Sequence, residues 1–160
     1  MRASLRSPDW GAGVAVGLAG GVAEILWVCL YASLSGAEAA AVARGVTQSV
    51  LPSGVVSAAV ALGVAVHMVL AVVLGIAVTV LVRSFLRLRS APAEWLAVGG
   101  ALVVVWGINF LIVLPVINPA FLDLLPYGAT LTSKVLFGLA AAAVLQARFH
   151  GARERIPSPG

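Results

Sequence analysis

Charged residues are scarce in this chain. Lys, Arg, Asp and Glu make up 10% of its 160 residues against 61% hydrophobic, and mean hydropathy is +1.08. That is too little polar surface to clothe a soluble domain of this length, which leaves an integral membrane protein. Cysteine is nearly absent: Cys29 stands alone inside an apolar run, so no intramolecular disulfide framework exists. Metal-binding patterns are missing as well. A site drawn from Glu24, Cys29, His67 and Met68 has no CxxC, HxxxH or Met-rich track behind it. The glycines form neither GxGxxG nor a Walker pattern, and no Ser/His/Asp arrangement stands out. No metal, no cofactor and no enzymatic activity are therefore expected. The net charge of +4 does not point to nucleic acid, because the basic residues cluster beside apolar segments instead of on an aromatic-rich polar face.

What is present is a set of long apolar runs. Four segments, at about 11–34, 54–82, 95–117 and 128–147, each supply the roughly 20 helical residues that a hydrocarbon core of about 30 Å demands. The runs are continuous and rich in Ala and Leu, with Gly at helix-contact spacing, so strands are disfavoured. The expected fold is an all-α integral membrane four-helix bundle in one transmembrane domain, 1–160, ending in a mobile tail at 150–160. The N-terminal run contains Glu24 and exceeds a normal signal-peptide core, so it reads as an uncleaved first span.

Arginine sets the orientation. Arg2 and Arg6 precede the first span, Arg83, Arg87 and Arg89 lie between the second and third, and Arg148, Arg153 and Arg155 follow the fourth. The other side has only Arg44, so the positive-inside rule predicts cytoplasmic termini and outside segments at 35–53 and 118–127. In the first outside segment Ala39, Val42, Val46 and Val50 recur at helical spacing. A short interfacial helix is expected there, with Ser35 as its cap and Pro52 and Gly54 closing it. The second outside segment, "NPAFLDLLPYG", reads as a tight, partly buried turn.

Small residues mark the faces on which helices meet, because close backbone approach drives helix association in lipid. The first span has Gly13, Gly17 and Gly21 four apart, with Gly20 leading onto the Glu24 face. The second has Ala59, Gly63, His67, Ala71, Gly75 and Thr79 in one row, and the fourth has Thr130, Lys134, Gly138 and Ala142. Polar side chains thus ride on or beside the smooth stripes of three spans. In the third, Asn109 is flanked by Trp106 and Val113.

By depth, at about 1.5 Å per residue, Glu24 and His67 come roughly 13 residues into their spans, while Asn109 and Lys134 lie about 8 and 6 residues from the outer ends. One polar group per helix is thus at a depth that allows all four to converge in the central and outer half of the bundle. Lys134 raises the insertion free energy of its span by about 2.5–3.5 kcal/mol, so it needs either a partner such as Glu24 or an outward path to the interface. Two readings of Glu24, His67, Asn109 and Lys134 follow. In one, they specify which helix neighbours which, as in an accessory or structural subunit of a larger membrane complex. In the other, they form the site of a transporter-like or ligand-binding bundle, expected as a homo-oligomer, handling a proton, ion, quinone or lipid headgroup.

The stretches "AEILWVCLYASLSG", "VARGVTQSVLP" and "WGINFLIVLPVINPAFLDLLPYGATLTSKVLFGLAAA" resemble a group of small bacterial four-span inner-membrane proteins. The resemblance spans most of the chain and implies a bacterial inner membrane, with no substrate attached. Some of that group carry a sodium:proline symporter label, although the symporter fold needs many more spans and an unwound-helix ion site.

Overall fold

A computed structural model describes residues 9–51, 59–86, 88 and 90–149, and the structural statements below concern these residues. They form α1 (Trp10–Ser35), α2 (Ala39–Val50), α3 (Ala59–Val80), α4 (Ala91–Ile108), α5 (Leu114–Ile117) and α6 (Tyr127–Phe149). A π-helical turn at Leu81–Phe85 extends α3, another at Asn109–Val113 joins α4 to α5, and a 3-10 turn at Pro119–Asp123 leads to α6. Four continuous helical segments are long and apolar enough to cross a membrane: Trp10–Ser35, Ala59–Phe85, Ala91–Ile117 and Tyr127–Arg148. The protein is an all-α, multi-pass membrane bundle. The expected tail at 150–160, the start of the second span at 54–58, and the closing Pro52 and Gly54 lie outside the described residues.

The helix ends have local causes. The Asp9 carboxylate accepts a hydrogen bond from the Ala12 amide at 2.9 Å and caps α1. At the other end Gly36, at φ 74°, takes the left-handed conformation that glycine tolerates best, and its amide donates to the Ala32 carbonyl. Ser35 is therefore the last residue of α1, not the cap of α2. The α2 cap position is Glu38, which makes no capping bond and instead pairs with Arg44 at 2.7 Å. The π turn at 109–113 stands just before Pro115. Proline has no amide to offer the Leu111 carbonyl and its ring crowds that carbonyl, so a widened turn accommodates it. The third span begins earlier than its hydropathy suggests, at Ala91, with Pro92 in the first turn, where a missing amide costs nothing.

Two adjacent rows on α1 organise the bundle. Gly13, Gly17 and Gly21 face α3, where a Cβ on each would run into Ile76, the Ala71–Val72 backbone, and Ala71 with Met68. The neighbouring row of Ala12, Val16, Gly20 and Glu24 is also buried, and Gly20 lies under the Phe137 ring of α6. Gly75 returns the contact from α3 against the Gly17 backbone, and Gly63 meets the Ala43 carbonyl of α2. Gly138 plays a lesser part, with its nearest neighbour the Leu102 side chain of α4.

Packing is uneven around the ring. α1 packs along both α3 and α6, and α6 packs along α4, while α3 and α4 scarcely meet. An inner core of Val16, Val78, Val82, Val98, Leu102, Phe137 and Leu145 closes one end. There the Arg83 guanidinium meets the fully buried Glu94 carboxylate at 3.0 and 3.3 Å, joining the extension of α3 to α4. The opposite end is closed by a second core of Val42, Phe110, Leu114, Phe121 and Leu125.

Helix α2 is held across that end by polar contacts. Asn118 donates through Nδ2 to the Gly45 carbonyl at 3.2 Å and to Ser49 Oγ at 3.0 Å, and the Thr47 hydroxyl donates to the Ala59 carbonyl. Asn118→Ala is expected to cost about 1–2 kcal/mol and to speed amide hydrogen exchange in α2 selectively. Equal acceleration in α6, read by exchange mass spectrometry, would show that Asn118 does not act as a latch on α2.

Candidate functional site

Near the middle of α1, Glu24 is 3% exposed and receives groups from two other helices. Lys134 Nζ of α6 lies 2.7 Å from its Oε1, and the Ser133 hydroxyl of α6 donates to the same oxygen at 3.2 Å. His67 Nε2 of α3 lies 3.6 Å from Oε2, beyond hydrogen-bond length, and makes no hydrogen bond. The ammonium also sits 5.5 Å from the centre of the Phe137 ring, the ring that packs on Gly20. The glycine rows draw α1 and α6 together, and that approach brings acid and base into contact.

The ends of this cluster are fixed by two tryptophans. Trp27 Nε1 of α1 donates to the Ala129 carbonyl at 2.9 Å, and Trp106 Nε1 of α4 donates to Thr130 Oγ1 at 3.0 Å. Thr130 Oγ1 in turn donates to the Tyr127 carbonyl at 3.0 Å. Both indoles therefore grip the first turn of α6, which sets the depth at which Lys134 presents its charge.

Beside the cluster lies a cavity of about 780 Å³. Glu24, His67, Lys134, Ser133, Thr130 and Asn109 contribute its polar lining, and most of the rest is Val, Leu, Ile and Ala. Its roof includes Ala39, Val42, Ala43 and Val46 of α2. Its mouth is the gap between α3 and the third span: Val64 and Val73 on one side and Ile108 and Val113 on the other line the cavity and are also exposed. In a bilayer such a mouth faces hydrocarbon.

Compared with known proteins, the chain matches no family model, no curated protein and no solved structure. The site is therefore read from its own chemistry. The structure brings Glu24, His67 and Lys134 together, with the lysine turned inward. Asn109 starts the π turn and lines the same cavity without a described hydrogen bond to the other three. Cys29 is exposed at the cavity lining and Met68 packs on Gly21, and no group of three or more His, Cys, Asp or Glu gathers among the described residues. Sequence reasoning missed Ser133, although its place beside Lys134 was a usable signal. It also missed Asn118 and the Arg83–Glu94 pair, because Glu94 sits at the end of an arginine-rich stretch that reads as a loop.

Proposed function

We propose that this small multi-pass membrane protein binds an amphiphile taken laterally from the bilayer, its chain in the apolar cleft and its polar end at the Glu24–His67–Lys134 cluster. The observation that carries the reading is the pairing of a hydrocarbon-facing mouth with a polar inner end. A cluster serving only to align helices has no use for a cavity beside it, whereas a ligand with one wet and one greasy end fits both. The ends of α3 and α6 that carry Arg83 and Arg148 support a cytoplasmic placement of that side, and the resemblance described above supports a bacterial inner membrane.

The test is occupancy. Extracted from cell membrane in polymer-bounded nanodiscs, the wild-type protein is expected to retain a stoichiometric amphiphile detectable by native mass spectrometry. Val64→Trp, which fills the mouth, is expected to lose that ligand while melting within a few degrees of wild type. Equal retention by both proteins would remove the cleft from the account.

The second reading is an accessory subunit of a larger membrane complex, or a homo-oligomer. It is favoured by Gly99, Gly100 and Gly107 on α4, beside which the structure leaves open space, as a helix face suited to a partner backbone would. A monomeric mass in the same nanodiscs would count against it.

A further inference from the structure

Charge balance and depth narrow the ligand, given the lateral cleft proposed above. Glu24 Oε1 is already engaged by Lys134 and Ser133, so the carboxylate and ammonium answer each other and their charges sum to zero. An anionic head would stand beside the Glu24 carboxylate and a cationic one beside Lys134, each adding an uncompensated charge at hydrocarbon depth. The available group is His67. Its Nε2 is buried, has no hydrogen-bond partner and borders the cavity.

Depth excludes another class. A phospholipid would have to draw its headgroup from the interface to the level of the middle of α1, well inside the hydrocarbon. A neutral ring with carbonyl oxygens on an apolar tail has no charged head to strip of water on reaching that depth. Phe110 and Phe121 line the cavity and offer flat apolar surface to such a ring, and Asn109 supplies an amide from the third span. The volume of about 780 Å³ suits a ring with the first part of its tail, and the lateral mouth lets a longer tail trail into the bilayer.

We propose that the cleft binds a quinone-class molecule, with a ring oxygen set against His67 Nε2. The proposal rests on the cleft reading and specifies its ligand. It is tested in nanodiscs of synthetic lipid by titrating a decyl-tailed benzoquinone and following tryptophan quenching above that of empty discs. Saturable binding is expected in wild type. His67→Leu, which removes the polar contact, is expected to weaken it about tenfold, and His67→Gln, which keeps one, to restore much of it.

Decylbenzene, decanoate and decylamine serve as competitors and are expected to compete at least about tenfold less well than the quinone. If any of these matches it, or if His67→Leu binds as wild type does, the quinone assignment is overturned while the cleft stands. Absence of saturable binding by every probe, together with equal ligand retention by wild type and Val64→Trp, would remove both. Should His67→Leu fail to fold, the glutamine variant and the competitor series still decide.

Discussion

Lys134→Met is expected to destabilise the protein by about 3–5 kcal/mol, because it leaves the Glu24 carboxylate without its counter-charge in a buried site. The two side chains are 16% and 4% exposed, so water cannot take the place of the lost ammonium. Glu24→Gln is expected to cost less, since a lysine near the end of the second turn of α6 can extend its long stem toward the nearer interface. The double variant is expected to recover much of the loss, as apolar or neutral replacement of a buried pair is often close to neutral. Thermal melting of the four proteins in one nanodisc composition measures the coupling. Additive losses would mean that the 2.7 Å contact contributes nothing to the fold.

The other large effect lies in backbone contact. A Cβ on Gly75 would collide with the Gly17 backbone and the Gly13 carbonyl, and neither can move without parting α1 from α3. Gly75→Val is therefore expected to cost roughly 3 kcal/mol, at the upper end of ordinary overpacking, because backbone cannot rotate out of the way. Gly99→Ala is the matched control. Nothing lies within 4 Å of the added methyl, so the change is expected to be neutral, or stabilising by up to about 1 kcal/mol through helix propensity. If the two variants melt alike, the four-spaced glycines do not hold the bundle.

Much of this was legible in the chain because membrane packing leaves simple marks. Hydropathy located the four spans, and the Gly13–Gly17–Gly21 row named the face of α1 that meets α3. The Glu24–Lys134 contact was one of two options that register left open, the other being a lysine turned outward to the interface. The Arg83–Glu94 pair was hidden because hydropathy alone cannot tell a loop from the first turn of a helix whose acid is buried. The cavity was hidden for another reason: it exists where α3 and the third span fail to pack, and residue patterns report contacts far better than gaps. Asn109 shows the same limit, sharing the cavity with the other polar groups without a described bond to them.

The pairing of Glu24 with Lys134 also constrains the order of assembly. A chain is made and inserted from its N-terminus, so the carboxylate on α1 reaches the bilayer while α6 has yet to leave the ribosome. His67 on α3 arrives in the interval, and in the folded bundle its Nε2 lies 3.6 Å from that carboxylate. Only when α6 docks on the Gly20–Glu24 face does the ammonium meet the carboxylate, so this one contact joins the earliest and latest of the described helices.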